Sequence, residues 1–373
     1  MVKTQKLLYS EKTFAESQIK PKIIQGLKLY GVKYLTKVQE KALPAVFERQ
    51  NLLLQASTGS GKSLIFIIAV LSRCDPSLKK LQGVIVSPTV ELADQTVAVL
   101  KSIAVFLKFK VASVLKEDTD KKKKTSPEER NGQILSTTPK RCLLLINHGV
   151  LQPMFLKCLV FDEIDQLLSK GMSKHLLLIL NKISDKTQKI FVSATMTKEV
   201  KELSENFLVD PLVVTTETDK NTSIDVNIKH YYVVVKGFLY KTNSIIEIHR
   251  QTPNKSTLVF CNSRESVMKC GKNLMNKDLK VALLHGKLDL SQRIRILSKF
   301  RKSEIEILVT TDMCSRGLDI AQTSLVIHFD LPGSIESYIH RAGRCGRFGR
   351  KGKSIIFVEQ SHLNEFHIPT FKP

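Results

Sequence analysis

The sequence predicts an α/β fold of two doubly wound lobes, each built around a parallel sheet. Short runs rich in Val, Ile and Leu recur along the chain, as expected of strands that are buried on both faces. Segments with helical spacing separate many of these runs, which is typical of crossover β-α units. The second half of the chain repeats the scheme of the first, and a length of 373 residues suits two hydrophobic cores better than one.

Each lobe has its own predicted elements. In the first lobe the candidate strands are residues 52–55, 84–87, 112–115, 134–136, 159–161, 190–193 and 212–215, and helical patterns cover 62–71 and 91–107. In the second lobe they are residues 231–235, 257–261, 281–285, 305–310, 325–329 and 354–358, with helical patterns at 266–275 and 291–300. The polar segment 217–227 predicts a flexible linker, so the expected domains are residues 1–216 and 228–373.

The composition excludes several classes of protein. The longest apolar run, residues 64–71, is far shorter than the roughly 20 residues of a membrane-spanning helix. The first ten residues carry no secretory signal. Seven cysteines without a CxxC pair argue against a zinc site and a disulfide framework. We therefore expect an intracellular protein, cytoplasmic, nuclear or nucleolar, that is neither secreted nor bound to a membrane.

The charge points to a polyanionic partner. The net charge is +23, and both halves of the chain contribute to it, so a polyanion could lie across both lobes. Residues 116–130 form one dense run of charges. That run is interpreted as a solvated surface loop, with a nucleic-acid contact through Lys121 to Lys124 as the alternative.

A phosphate-binding loop follows the first predicted strand. The residues are Ala56, Ser57, Thr58, Gly59, Ser60, Gly61, Lys62 and Ser63, and they open an apolar helix, as a P-loop does. The glycines let backbone N–H groups close around phosphate oxygens at the positive end of that helix. Lys62 is predicted to reach the β- and γ-phosphates of a nucleotide and Ser63 to ligate magnesium, which makes Mg²⁺ an expected cofactor.

A run of carboxylates follows the strand at 159–161. Asp162, Glu163, Ile164 and Asp165 would emerge at the carboxyl end of a parallel strand, where ligands bind in open α/β sheets. Asp162 is predicted as a magnesium ligand and Glu163 as the group that orients and deprotonates the attacking water. Taken alone, such a quartet is also compatible with a helix cap or a solvated turn.

Near the end of the second lobe, three arginines recur at a three-residue spacing. They lie in the stretch HRAGRCGR, which begins at His340. Transferred phosphoryl groups need positive charge opposite their equatorial oxygens, so Arg344 and Arg347 are predicted to be arginine fingers. A basic, solvated helix end is the alternative interpretation.

Taken together, these motifs resemble those of the DEAD-box RNA helicases of superfamily 2, over residues 14 to about 358. The P-loop, DEID and HRAGRCGR are similar to motifs I, II and VI, and the remaining motifs are matched by Ser193 to Thr195, 259–264, His285 and Gly286, and 310–319. The resemblance implies two RecA-like lobes. It also implies that ATP is the nucleotide and that Ser193 and Thr195 couple its hydrolysis to duplex opening. Asp319 would contact the ribose, and Gly317 would belong to the nucleotide site.

The resemblance extends upstream of the P-loop. Residues 31–39 resemble the family's Q motif, with Leu35 where the family has Pro. It implies that Thr36 and Gln39 bind the nucleotide, Gln39 reading the adenine edge with its amide. Phe14 lies 25 residues before Gln39, as does the aromatic residue that stacks on adenine in the family. Without the resemblance, Phe14 would be interpreted as a core or helix-staple residue.

The family pattern also implies a set of RNA contacts. They are Pro88, Thr89, Thr138, Arg264, Gln292, Arg293, Thr310 and Arg316. The chain departs from that pattern mainly in the first lobe, where Val90 replaces Arg, Lys140 replaces Gly, and no Gly-Gly pair follows Val114. Ile164 replaces the Ala of motif II. We therefore expect the first lobe to grip RNA differently, with Lys140 and Lys121 to Lys124 in place of backbone contacts.

The function expected from these residues is that of an ATP-dependent RNA helicase. It would locally unwind short duplexes or remodel RNA–protein complexes, with little sequence preference because phosphate contacts carry none. We expect it to act as a monomer, with protein activators or adaptors as possible partners. An ATP-gated RNA clamp with little strand separation remains an alternative, and a DNA helicase is a third.

Overall fold

The structure is a computed structural model. It describes residues 9–56, 59–113, 131–169, 171–215, 228–252, 256–277, 279–312, 323–345 and 352–360. Contacts between Cα atoms divide the chain into two compact units, residues 1–223 and 224–373. The predicted linker 217–227 and the charged run 116–130 lie outside the described residues.

The first unit contains a seven-stranded sheet in which every neighbouring pair is parallel. Its strands are β3 (Leu52–Gln55), β4 (Gly83–Val86), β5 (Val111–Ser113), β6 (Ile134–Thr137), β7 (Cys158–Phe161), β8 (Gln188–Ser193) and β9 (Leu212–Thr215). Across the sheet they run in the order β5-β6-β4-β7-β8-β3-β9. The predicted parallel sheet of the first lobe is therefore confirmed, with strand ends that differ by at most two residues over the described part of the chain.

Helices connect these strands. They are α1 (Pro21–Leu29), α2 (Lys37–Glu48), α3 (Lys62–Arg73), α4 (Val90–Ile103), α5 (Pro139–Asn147), α6 (Ile164–Ser169), α7 (Ser173–Leu180) and α8 (Lys198–Phe207). Local sequence explains several of their starts: the hydroxyls of Thr36, Thr89 and Thr197 each accept a hydrogen bond from the backbone N–H three residues later. The predicted helix over 91–107 ends earlier, at Ile103, and continues as a 3₁₀ turn.

Two apolar clusters hold this unit together, one with residues such as Phe66 and Ile68 and one with residues such as Phe161 and Phe191. Ile164, the residue that replaces the family's Ala, is fully buried in the second cluster. Its extra volume is therefore taken up by the core beneath α6. None of the helices in the described residues is both long and apolar enough to cross a membrane.

The second unit contains a six-stranded sheet, also parallel throughout. Its strands are β10 (Ile228–Val235), β11 (Thr257–Cys261), β12 (Val281–Leu284), β13 (Ile307–Thr311), β14 (Leu325–His328) and β15 (Gly352–Glu359), in the order β10-β15-β14-β11-β13-β12. The helices are α9 (Phe238–Arg250), α10 (Arg264–Met275), α11 (Leu290–Arg301) and α12 (Ile335–Ala342). The predicted α/β class is confirmed for both units.

A small antiparallel sheet near the start of the chain was not expected from the sequence. It pairs β1 (Tyr9–Thr13) with β2 (Tyr34–Thr36), and the register shifts between Tyr9 and Thr13. The strands are short and polar, so they carry neither the apolar runs nor the alternation that indicate strands. This pairing places the stretch before α2 beside the residues that precede Phe14.

Candidate functional site

Three motifs of the first unit meet at one edge of its sheet. Strands β7, β8 and β3 are neighbours in that order, and all three are parallel. The DEID quartet follows β7, Ser193 is the last residue of β8 with Thr195 just beyond it, and the P-loop follows β3. The carboxyl ends of parallel strands lie at the same edge, so the sheet brings together motifs that are about a hundred residues apart in sequence.

The P-loop needs glycine at Gly61 for two reasons. Its φ is +89°, in the left-handed region that L side chains rarely adopt, and Gly59 has a φ of +86°. A Cβ on Gly61 would also lie 2.4 Å from Nε2 of Gln39. The sequence prediction of a strand, a tight glycine turn and a helix is therefore seen here, whereas Ser57 and Thr58 lie outside the described residues.

Lys62 and Ser63 open helix α3, directly after this turn. The ammonium of Lys62 donates to the carbonyl oxygen of Ala56, at the start of the loop. The Ser63 side chain is exposed, and Ser60 is buried. Both a cation and a hydroxyl are thus placed at the N-terminus of an apolar helix, where anions are favoured.

The Q motif is bonded directly to the P-loop. The Thr36 hydroxyl donates to the carbonyl oxygen of Ser60 over 2.8 Å, and Nε2 of Gln39 donates to that of Gly61 over 3.0 Å. Oε1 of Gln39 also accepts from the N–H of Thr36, which completes a capping box at the start of α2. Gln39 therefore fixes the position of the loop, a role that sequence reasoning did not assign to it.

Phe14 lies in the core of the first unit. Its side chain is only 2% exposed and belongs to the same apolar cluster as Leu35, which occupies the family's proline position. This is the core interpretation that the residues alone left open. Adenine stacking by Phe14 stays a prediction.

The carboxyl of Asp162 is held in an unusual electrostatic environment. Burial, and secondarily the neighbouring Glu163, raises the pKa of Asp162 to about 7, and the ammonium of Lys62 opposes the shift. A bound cation would favour the carboxylate in the same way. The oxygens of Asp162 and Ser63 are of the hard type that magnesium prefers, so the residues present fit this ion. Within the described residues, no cluster of three or more His, Cys, Asp or Glu forms a separate metal site.

Glu163 has a strained backbone. Its φ is +50°, which is uncommon for a residue other than glycine and is often found at functional sites. The side chain is half-buried, and its carboxylate accepts a hydrogen bond from Nε2 of Gln166. The backbone of Glu163 thus departs from the helical conformation directly before α6, and the bond to Gln166 restricts the orientation of its side chain.

Asp165, a residue that sequence reasoning did not single out, connects motifs II and III. One of its carboxylate oxygens accepts hydrogen bonds from the backbone N–H and the hydroxyl of Thr195, over 3.0 and 2.8 Å. The Ser193 hydroxyl donates to the carbonyl oxygen of Thr195 over 2.6 Å. Ser193 and Thr195 are both buried, and these hydrogen bonds hold them at the end of β8. The only sequence signal for this contact was the presence of a second aspartate, Asp165, three residues after Asp162 within DEID.

Arg341 connects several motifs of the second unit, as Asp165 does in the first. Strands β14, β11 and β13 are neighbours, and polar residues follow each of them. The guanidinium of Arg341 donates to both carboxylate oxygens of Asp312 over 2.6 and 2.7 Å, to the carbonyl oxygen of Asp330 over 2.9 Å and to Oδ1 of Asn262 over 2.7 Å. It also lies over the ring of Phe260, 5.4 Å from its centroid. Motifs IV, V and VI are thereby tied to one buried side chain.

The other residues of motif VI are only partly described. His340 and Arg344 are buried, and Nε of Arg344 donates to the carbonyl oxygen of His340. Arg347 lies outside the described residues, as do Arg316, Gly317 and Asp319 of motif V. The arginine-finger role of Arg344 and Arg347 stays a prediction.

The predicted RNA contacts share a structural setting, because most of them lie at helix N-termini. Pro88 and Thr89 precede α4, Thr138 is the N-cap of α5, Arg264 opens α10, and Gln292 is in the first turn of α11. The positive end of a helix favours phosphate, and so each position suits a nucleic-acid backbone. At the altered positions, Val90 is half-buried and Lys140 is exposed in the first turn of α5.

Two of the predicted RNA contacts make hydrogen bonds within the second unit. Arg293 donates through Nε to the carbonyl oxygen of Leu288 and through Nη2 to that of Gly286, so it braces the loop before α11. The Thr310 side chain is fully buried, and its hydroxyl donates to the carbonyl oxygen of Thr311. An RNA contact by Thr310 stays a prediction; the neighbouring Thr311, at the end of β13, is half-buried.

Comparison with known proteins agrees with this arrangement. Residues 36–203 match the family described as DEAD/DEAH box helicase, and residues 240–349 match the helicase conserved C-terminal domain. The chain is 34% identical to the ATP-dependent RNA helicase FAL1 of Kluyveromyces lactis, over 95% of this chain and 89% of that protein. The chain belongs to the DEAD-box RNA helicases. A second relative is the ATP-dependent RNA helicase eIF4A of Neurospora crassa, 33% identical over 93% of this chain and 86% of its own length.

The fold of this DEAD-box protein is also found in solved structures. S. cerevisiae Dbp5 bound to RNA and ADP BeF3 matches with a TM-score of 0.85 and 28% identity, over 94% of this chain and 90% of that one. The two RecA-like lobes implied by the motifs are therefore confirmed. The family assignment makes the protein an ATP-dependent RNA helicase, an enzyme whose ATP hydrolysis responds to RNA.

Proposed function

We propose that the protein uses ATP hydrolysis to separate short RNA duplexes locally or to remodel RNA–protein complexes. The observation that carries the proposal is the meeting of the P-loop, DEID and Ser193 to Thr195 at three neighbouring strand ends. Asp165 joins two of these motifs through hydrogen bonds to Thr195. A change in one motif can therefore be passed to the next through a direct bond.

In the nucleotide site, each residue has a proposed task. Backbone N–H groups of the P-loop hold phosphate oxygens, and Lys62 exchanges its bond to Ala56 for the β- and γ-phosphates. Glu163 orients the attacking water and accepts its proton. Gln39 and Phe14 are proposed to contact the adenine, and Asp319 is proposed to contact the ribose, with Gly317 as a further residue of the nucleotide site. Ser63 and Asp162 would hold Mg²⁺, which when bound neutralises charge on the phosphates.

On the RNA side, the helix N-termini at Thr89, Thr138 and Arg264 are proposed to hold phosphates, with Gln292 and Arg316 as further contacts. Contacts of this kind grip a strand without reading its sequence. Contacts from both units can hold the strand in a shape that is incompatible with a continuous A-form duplex. Arg344 and Arg347 are proposed to stabilise the transferred phosphoryl group, so that hydrolysis depends on both units.

Strand displacement beside ATP turnover tests this function. We expect a short RNA duplex with a single-stranded extension to be separated when ATP is present, and RNA to stimulate ATP turnover. A matched DNA duplex should be a poor substrate, because DNA lacks the 2′-hydroxyls. Efficient separation of DNA alone would contradict the RNA assignment.

A second candidate function is an ATP-gated RNA clamp, and the altered first-unit positions favour it. Val90 supplies no charge at the start of α4, and the exposed Lys140 stands in the first turn of α5 where the family has glycine. A clamp would bind RNA and turn over ATP without displacing a strand. The comparison of unwinding with turnover therefore separates the two functions.

The contribution of Lys140 to RNA binding can be tested separately. Lys140→Ala should weaken RNA binding and lower the slope of log affinity against log salt by about 0.7, the value for one phosphate on a single strand. Lys101→Ala, on an exposed position of α4, is the matched control. An unchanged slope in Lys140→Ala would show that this lysine does not replace the missing backbone contact.

A further inference from the structure

A concave surface lies on the first unit, outside the nucleotide site. It is a groove of about 1350 Å³ between β1, the residues just before β2, and the start of α2. Small-molecule pockets usually measure about 300–1,000 Å³, so the groove is better suited to a segment of a polymer than to a small ligand. The residues assigned to nucleotide binding, such as Thr36 and Gln39, do not line it.

The groove lies on the side of helix α2 that faces away from the P-loop. Val38, Gln39 and Ala42 form the buried side of α2, and Gln39 bonds to the P-loop from there. Lys37, Glu40 and Lys41 lie on the opposite side of the helix and line the groove. A helix separates these two faces by its 3.6-residue period, so one short element serves both the P-loop and the groove.

The charged groups that line the groove are predominantly basic. They are Lys12, Lys33, Lys37, Lys41, Glu11 and Glu40. Lys12 and Glu40 form an ion pair with 2.8 Å between Nζ and Oε1. Outside that pair the lining has three lysines and one glutamate, which favours an anionic occupant.

Two exposed aromatic rings accompany these lysines. Tyr9 is 38% exposed and Tyr34 is 47% exposed, and both line the groove. The ammonium of Lys33 lies 5.3 Å from the centroid of the Tyr34 ring. Exposed rings among lysines form the kind of surface on which single-stranded nucleic acids bind, because bases stack on the rings while phosphates meet the cations.

We propose that this groove is a second RNA site, which holds single-stranded RNA that extends beyond the strand bound by the helicase motifs. The proposal rests on the RNA-directed function proposed above. An acidic peptide shares the negative charge but has no bases to stack on Tyr9 and Tyr34, so RNA is the better match. A long strand would then contact the side of α2 that carries Lys37 and Lys41, while Gln39 on the other side of the same helix bonds to the P-loop.

Cross-linking to the full chain locates the RNA. A single-stranded RNA of about 25 nucleotides carrying 4-thiouridine should give cross-links within 9–12 and 33–41. An RNA of about 10 nucleotides should be confined to the helicase motifs. Cross-links of the long RNA to the helicase motifs alone would overturn the proposal.

A charge-matched pair of variants measures the contribution of the groove. In the groove variant Lys33, Lys37 and Lys41 become Gln, and in the control the exposed Lys101, Lys198 and Lys201 of the same unit become Gln. We expect the salt slope for the long RNA to fall by about 2 in the groove variant, from about 0.7 for each of three phosphates. Tyr34→Ala should separately weaken binding of the long RNA by about tenfold.

The 10-nucleotide RNA separates the test of the groove from the test of the helicase function. Stimulation of ATP turnover by the 10-nucleotide RNA should be the same in wild type, groove variant and control. If the short RNA fails to stimulate the wild type, the proposed function fails, whatever the cross-links show. If the groove variant and the control lost the same affinity for the long RNA, the groove proposal would be overturned. It would also be overturned if an acidic peptide bound in the groove while the substitutions left the affinity for the long RNA unchanged.

Discussion

Glu163 and Arg341 differ in how far the sequence alone identifies them. Glu163 is identified by its sequence context, because the chain also contains a P-loop and the carboxylate directly follows a buried strand. Those two features predict that it orients and deprotonates the attacking water. Its φ of +50° and its bond to Gln166 could be found only from the structure. Arg341 has the same residue type and spacing as Arg344, and nothing in the sequence shows that it is the one bonded to Asp312 and Asn262.

Glu163→Gln tests the role of the proposed base. The amide keeps the size of the side chain but cannot accept a proton from water, so RNA-stimulated ATP turnover should fall about 10²- to 10⁴-fold. Binding of ATP and RNA should persist. Glu199→Gln, in the first turn of α8, is the control. Robust turnover by Glu163→Gln, measured as phosphate release, would assign the proton transfer to another group.

Arg341→Ala tests the junction of motifs IV, V and VI. Removal of a buried cation leaves Asp312 and Asn262 without their shared partner, and we expect the second unit to lose about 3 kcal/mol of unfolding free energy. Urea unfolding of the full chain measures it, with the exposed Arg295→Ala as the control. Equal stability of the two variants would show that the bonds to Arg341 contribute little.

At the scale of elements, most of the parallel strands and the P-loop helix were predictable because each contains a continuous run of apolar residues. β1 and β2 were not, since five and three mostly polar residues give no periodic signal. The groove proposed as a second RNA site depends on that unpredicted pairing. The helix N-termini explain why predicted RNA contacts that are scattered in sequence share one structural setting. The burial of Thr310 had no sequence signal.

Contacts between β10, β14 and α12 predict a dependence of stability on pH. His230 on β10 is hydrogen-bonded to the hydroxyl of Tyr338, and burial lowers the pKa of His230 to about 4. Burial also lowers the pKa of His328 on β14. A histidine pKa below that of the unfolded chain stabilises the fold above about pH 6.5, and this stabilisation is lost as the pH falls toward 4.

For His230, which is partly exposed, the expected loss between pH 7.5 and 5.5 is about 1 kcal/mol. Urea unfolding at the two pH values should show a smaller fall in His230→Gln than in wild type, by about that amount. His328 remains in both proteins, so the difference isolates His230. The same fall in both proteins would mean that His230 is not held neutral by its surroundings.

At the scale of the whole molecule, length and repetition predicted two α/β units, and the positive charge of both halves predicted a shared polyanion. The sequence could not supply the links among the motifs within each unit, because Asp165 with Thr195, and Arg341 with Asp312, are joined by folding and not by spacing. For the full chain, we propose that ATP hydrolysis needs the P-loop and Glu163 of the first unit together with motif VI of the second.

RNA-stimulated ATP turnover of Arg344→Gln in the full chain tests that claim most directly. We predict that the variant folds, binds ATP with wild-type affinity, and loses about 10³-fold or more in stimulated turnover, as expected for an arginine finger. Turnover equal to that of wild type, in a variant that is folded and binds RNA, would contradict the claim that the second unit takes part in hydrolysis.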